Sequence, residues 1–173
     1  MPRILVLGYS EASMLLASRN CPTIGALLAI HGQREHAVEA DVPHKLTLKF
    51  DDAPIVPEHD PLEQSRMRIR AAEAADIGLH LQPPTRDHVA RIISFAGEIA
   101  DIDGVCLCHC RAGISRSTAA ALLCLAAWSS PGDEAACVDH LRRIRPAAQP
   151  HRDLVRIGDA LLGRRGALVA ALT

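Results

Sequence analysis

Aromatic side chains are nearly missing from this chain: two phenylalanines, one tyrosine and one tryptophan make up 2% of its 173 residues. Its core must therefore be built from Leu, Ile, Val and Ala. An excess of either charge is missing too. Nineteen Lys and Arg stand against 20 Asp and Glu, a net charge of −1, which argues against a general nucleic-acid binder. Long apolar runs are absent. The longest, residues 119–128, falls short of the roughly 20 residues needed to span a bilayer. Met1-Pro2-Arg3 is followed only by the short apolar run 4–7 before Gly8 and Glu11, so no targeting segment is expected. There is no internal repeat, no linker, and no second Cys or His pair at the spacing of a metal knuckle. These absences lead to the expectation of a soluble, cytoplasmic protein without nucleic-acid or membrane partners.

What is present suits one ordinary globular domain spanning 1–173, with 49% apolar and 23% charged residues and enough chain for a core without disulfides or metal. Runs at 4–7, 24–30, 46–50 and 104–108 read as strands. Helical patterns occupy 11–18, 62–77, 86–100, 117–128, 133–145 and about 152–162, with Thr85 a plausible N-cap. Asp133 and Glu134 open the fifth of these helices, and Arg142, Arg143 and Arg145 close it, as its dipole favours. Strands alternating with helices imply an α/β fold, with a central, mostly parallel, four- to five-stranded sheet flanked by helices. Six cysteines, three of them (Cys106, Cys108, Cys110) alternating along one strand, fit a reducing compartment better than a disulfide framework.

The chemistry concentrates in His109-Cys110-Arg111-Ala112-Gly113-Ile114-Ser115-Arg116-Ser117. A loop between a buried strand and a helix N-terminus aims several backbone N–H groups at one point and adds the positive end of a helix dipole. That is a phosphate cradle. A cysteine at its floor is made reactive, because the same donors stabilise a thiolate: such surroundings lower a cysteine pKa from ~8.5 to roughly 3.5–7.5. Arg116 can fold back so that its planar fork grips two phosphate oxygens. The Ser117 hydroxyl can donate to the sulfur when it departs. Gly113 suits a position of unusual backbone angles.

This run resembles the signature loop of the cysteine-dependent protein tyrosine phosphatases, in particular their dual-specificity-like branch and the short bacterial tyrosine-phosphatase-like proteins, across about 45–60 and 83–163. The resemblance implies the cysteine-based phosphatase fold, Cys110 as nucleophile, Arg116 as phosphate ligand, and Arg111, Ala112, Gly113, Ile114 and Ser115 as the phosphate-binding loop. It also implies an upstream aspartate as general acid, in a loop after a strand. Asp51, Asp52, Glu58 and Asp60 are the candidates; Asp52, before Ala53-Pro54, is the first choice and Asp51 the reserve. Asp52 lies much farther before Cys110 than the acid does in many compact relatives, and about 60–81 is read as a helical insertion that accounts for the difference.

Other readings are weaker. Three sulfurs on one strand face are too widely spaced to converge on one metal ion, and His109 points the other way; no metal or cofactor is expected. Cys106 and Cys108 read as core, with a redox partnership to Cys110 as the minor alternative. His109 reads as a local hydrogen-bonding residue that helps orient the loop. Arg66, Arg68 and Arg70 read as a solvated helix face rather than the border of a site. The function expected is hydrolysis of phosphomonoesters, protein phosphotyrosine first, through a phosphocysteine intermediate, the substrate partner being a phosphorylated protein or a small phosphomonoester. The alternatives are an inositol phosphate or phosphoinositide substrate, or a binding module that holds a phosphorylated ligand without turnover.

Overall fold

The computed structural model of the protein describes residues 2–55, 61–76, 78 and 80–173. Its four strands, β1 (Arg3–Gly8), β2 (Ile24–His31), β3 (His44–Lys49) and β4 (Val105–Cys110), form one sheet in the order β1-β4-β2-β3. Every pairing is parallel, so the expected mostly parallel sheet of four to five strands is, among the described residues, parallel throughout with four. The two central strands are buried on both faces and accordingly read as mostly apolar runs, interrupted in β4 by the buried His109. At the edge, β3 alternates, with Leu46 and Leu48 inward and Lys45, Thr47 and Lys49 outward.

The helices are α1 (Tyr9–Ala17), α2 (Pro61–Asp76), α3 (Arg86–Glu98), α4 (Arg116–Trp128), α5 (Glu134–Ile144), α6 (Arg152–Leu161) and a short α7 (Ala167–Ala170) that the sequence pattern did not signal. Two cores result. The larger lies between the sheet and the layer of α3, α4, α5 and α6, and takes in Cys106, Cys108 and Cys110 from one face of β4. On the other face a smaller core gathers Leu27, Ala29 and Leu107 under Ala12 of α1. Thr85 caps α3 as expected, its hydroxyl accepting the His88 N–H at 3.3 Å. Among the described residues, no helix is long and apolar enough to cross a membrane.

Helix α4 sits at the centre of the helical layer, with residues 116–124 all buried. Its short Ala119, Ala120 and Ala121 let neighbours approach closely. α6 does so at Gly158, where a Cβ would lie 2.1 Å from Leu123 Cδ2. The C-terminal segment is pinned by polar contacts. Asp159 accepts the N–H groups of Gly166 (2.6 Å) and Leu168 (2.8 Å). Buried Arg164 donates to Glu134 Oε1 (3.1 Å) and to the carbonyls of Ala126 (2.5 Å) and Ser129 (2.6 Å). Removing one member of a buried ion pair strands the other, a loss of about 3–5 kcal/mol. Arg164→Met is expected to lower the urea unfolding free energy by that order, and adding Glu134→Gln should recover part of it.

Candidate active site

β4 runs to Cys110, two residues beyond the expected end, and α4 begins at Arg116, so residues 111–115 join a strand end to a helix N-terminus. Each carbonyl of this crossing is taken by a partner outside it. The Arg111 oxygen accepts from Tyr9 N–H (3.0 Å), that of Ile114 from Gln149 N–H (2.9 Å) and that of Ser115 from His151 N–H (3.3 Å). Arg145 takes the two between, donating from Nη2 to Ala112 (3.1 Å) and from Nε to Gly113 (3.0 Å). In a planar trans peptide the N–H points opposite to the carbonyl, and no peptide here is cis. The amides of residues 112–116 therefore turn away from those partners, toward the concave side. Gly113 N–H donates to Cys110 Sγ at 3.3 Å, and Ser117 Oγ lies 3.1 Å from the same sulfur.

Gly113 has φ of +71°, and a Cβ there would sit 2.5 Å from the Gly8 nitrogen and the Leu7 carbonyl carbon. Only glycine meets both conditions. Arg145, expected to serve the dipole of α5, instead lies just past that helix and braces the loop. Glu11 holds it by a two-point pair, at 3.0 Å to Nη1 and 2.9 Å to Nη2. Arg145, then the Gly8 N–H, keeps the Glu11 carboxyl below the usual carboxylate range.

Arg116 folds beneath the loop and is only 3% exposed. Its Nη1 donates to the Phe50 carbonyl at 3.0 Å, and Glu35 grips both terminal nitrogens, at 2.9 Å to Nη1 and 3.0 Å to Nη2. Burial alone would raise the Glu35 carboxyl, but the Arg116 hydrogen bond, the Gly32 N–H and the charges of Arg116 and Arg111 outweigh it and hold Glu35 below its ordinary value. For Arg116 burial opposes the charge, and the Glu35 bond and charge again win, raising it. Its Nε–H is buried without a partner, a donor whose satisfaction by an incoming oxygen would recover about 1–3 kcal/mol.

The two leading candidate acids part company here. Asp51 is occupied structurally, accepting backbone N–H groups of Gln33 (3.3 Å) and Gln82 (2.8 Å). Asp52 faces the loop: Ser115 Oγ donates to its Oδ1 at 2.7 Å, and His151 Nε2 lies 3.7 Å from the same oxygen. Glu58 and Asp60 lie outside the described residues. Arg111 is exposed and its nearest acid is Glu35, at 4.0 Å. Arg66, Arg68 and Arg70 are exposed on α2. His109, on the face of β4 opposite the cysteines, accepts the Val38 N–H at Nε2 (3.2 Å) and so carries its proton on Nδ1, 3.5 Å from the Cys110 carbonyl. Burial pushes it below the ordinary histidine value, so it is neutral near pH 7.

Beneath Cys110, Cys106 and Cys108 place their sulfurs 3.9 Å apart. The Cys108 thiol is raised by its bond to Cys106 and then by burial, and Cys124 by burial, so both stay protonated and unreactive. Among the described residues no three His, Cys, Asp or Glu side chains converge as metal ligands.

Glu35, Glu11 and His151 escaped the sequence reading. Glu11 sits in a local helix-capping pattern with Gly8, but that pattern says nothing of the Cys110 loop, which each of the three reaches from a segment distant in sequence. Arg145 left a trace, as one of the arginines closing the 133–145 helical pattern, though not in its role at the loop.

No family model matches the chain, and no curated protein matches it by sequence. Solved structures do. DUSP15 superposes on 99% of this chain and 86% of its own with a TM-score of 0.56 at 18% identity. PTPMT1 in complex with PI(5)P covers 96% of this chain and 94% of its own, with a TM-score of 0.52 at 13% identity. The chain has the dual-specificity phosphatase fold. In that fold as this chain builds it, the Cys110 loop sits at the carboxyl end of a central strand, where ligands of parallel sheets bind.

The half-buried Glu35–Arg116 pair carries a pH signature. Because the folded-state value of Glu35 lies below that of the unfolded chain, about 4.3, its stabilisation is complete above that pH and is lost as pH falls through the lowered folded value. The difference in urea unfolding free energy between wild type and Glu35→Gln should be widest near neutrality and narrow steadily from about pH 4 downward.

Proposed function

We propose that the protein is a cysteine-dependent phosphatase that hydrolyses phosphomonoesters, with protein phosphotyrosine the leading substrate. The observation that carries this reading is the loop of residues 111–115, whose carbonyls are all bonded outward while Gly113 N–H and Ser117 Oγ meet the Cys110 sulfur. A binding module would need the amides and the arginine but not a thiol.

In this mechanism the Cys110 thiolate attacks phosphorus, forming an S–P bond as the ester P–O bond breaks. The amides of Ala112, Gly113, Ile114, Ser115 and Arg116, with the Arg116 guanidinium, hold the three equatorial oxygens, where charge accumulates. Asp52 gives its proton to the leaving oxygen. In the second half, water attacks the phosphocysteine, the Asp52 carboxylate accepts its proton, and the P–S bond breaks to release inorganic phosphate. The Ser117 hydroxyl stabilises the departing thiolate. Asp52 is favoured over Asp51 because Asp51 is consumed by two backbone amides whereas Asp52 stands at the loop rim on Ser115. His109 supports the loop as a neutral ring.

A second substrate class has one observation in its favour: a structure of this fold, PTPMT1, holds PI(5)P. A substrate panel separates the two. Six free cysteines fit a reducing compartment such as the cytoplasm. We read about 60–81 as an insertion; Leu62 and Ile69 of α2 remain exposed, consistent with an element added outside the core.

Purified protein is expected to hydrolyse p-nitrophenyl phosphate, and Cys110→Ser to reduce turnover to background; undiminished turnover in that variant overturns the mechanism. Asp52→Asn should lower kcat on phosphotyrosine-like esters by roughly 10²–10⁴ and flatten the basic limb of the pH profile. Ranking phosphotyrosine, phosphoserine and phosphoinositide substrates by kcat/KM, with Cys110→Ser as the blank, assigns the substrate class.

A further inference from the structure

His151 lies at the N-terminus of α6 with a ring that is 8% exposed, yet its side chain makes no capping bond to that helix. The fold takes from this residue its backbone N–H, which the Ser115 carbonyl accepts. The imidazole does something else. Its Nε2 lies 3.1 Å from the Ala53 carbonyl and 3.7 Å from Asp52 Oδ1. A carbonyl only accepts, so the hydrogen is on Nε2 and bonds that oxygen, which leaves the polar edge of the ring beside the carboxyl but beyond hydrogen-bond reach of it. Nδ1 is then buried with no partner. An apolar side chain would fill the same space without leaving a polar atom unsatisfied, so packing does not account for a histidine here.

The same Asp52 oxygen, Oδ1, accepts the Ser115 hydroxyl at 2.7 Å. Ser115 thus hydrogen-bonds Oδ1 and the His151 ring edge stands 3.7 Å from the same oxygen, while Oδ2 makes no hydrogen bond to a described residue. In a protonated carboxyl the carbonyl-type oxygen is the better acceptor, so the Ser115 bond favours the proton on Oδ2. We propose that His151 is a positioning residue for the proton donor: by holding the Ala53 carbonyl it fixes the neighbouring Asp52 carboxyl, whose Oδ1 Ser115 binds, so that Oδ2 carries the transferable proton, and it sets a polar N–H edge near the carboxylate charge that develops as Oδ2 releases that proton to the leaving oxygen. This rests on the reading of Asp52 as general acid. The surrounding segment is built to hold that position: the N–H of Ile55, three residues on from Asp52, donates to Asp153 Oδ2 of α6 at 2.7 Å, and His151 holds the Ala53 carbonyl between them.

The test exploits the leaving group. Phenyl phosphate expels an oxide of pKa about 10 and needs the acid, whereas p-nitrophenyl phosphate expels a much weaker base and needs it less. His151→Phe keeps ring volume and removes the donor. It is expected to lower kcat on phenyl phosphate roughly ten- to hundredfold, to change kcat on p-nitrophenyl phosphate by less than about threefold, and to leave both KM values near wild type. Combined with Asp52→Asn, it should cost nothing further, since both remove one function. Equal slowing on both substrates, or losses that multiply in the double variant, overturns the proposal. If the bulky ring prevents folding, His151→Asn is read in the same two assays by the same criterion. The underlying assignment is judged separately by Asp52→Asn alone: a leaving-group split in that variant without one in His151→Phe overturns only the role of His151, and no split in either overturns Asp52 as the acid and His151 with it.

Discussion

Ending a buried strand in a tight loop exposes a run of peptide groups that must each find a partner or cost free energy. Between Cys110 and Arg116 the chain meets this demand asymmetrically. All the carbonyls bond to one side, and the amides are left to the other. The partners come from the start of α1, from Arg145 just beyond α5, and from the turn leading into α6. The concave, donor-rich face is thus a by-product of how the convex face is satisfied. Arg145 matters most in this respect, because one planar guanidinium covers two successive carbonyls, a fit that a lysine ammonium does not reproduce.

Charge is arranged with the same economy. Arg116 is buried before any ligand arrives, its two terminal nitrogens already committed to Glu35 and one of them also to Phe50. Desolvation and orientation of the guanidinium are therefore borne by the fold rather than by the encounter with substrate, which is the sense in which such a site is preorganised. The remaining Nε–H and the loop amides are what an oxyanion would find. Glu35 reaches this position from the connection between β2 and β3, so the edge of the sheet that carries no part of the loop still fixes the buried arginine beneath it.

Much of this was legible in the residues themselves. The nine-residue run around Cys110 announced both the loop and the strand-to-helix junction, and the apolar periods located all four strands and most helices to within a residue or two. Asp52 was preferred to Asp51 only by resemblance, from its place before Ala53-Pro54, because both are acidic, adjacent and in a loop; the structure adds a physical difference, since the backbone amides of Gln33 and Gln82 claim Asp51 whereas Ser115 bonds Asp52. Glu35, Glu11 and His151 were invisible for a related reason. Their partners lie 81, 134 and roughly a hundred positions away in the chain, and no local pattern encodes a long-range ion pair. Helix α7 was missed because it is a single turn stabilised by Asp159 rather than by its own periodicity.

The scarcity of aromatic residues has an optical consequence. The single tryptophan, Trp128, ends α4 and donates its indole N–H to the Ala96 carbonyl of α3 at 2.7 Å. Tryptophan emission from this protein therefore arises at one seam, where two helices meet at the end of α4 remote from the Cys110 loop. A trace excited selectively at tryptophan follows the opening of that seam as the chain comes apart, and it stays dark to events among the loop amides unless those events travel the length of α4.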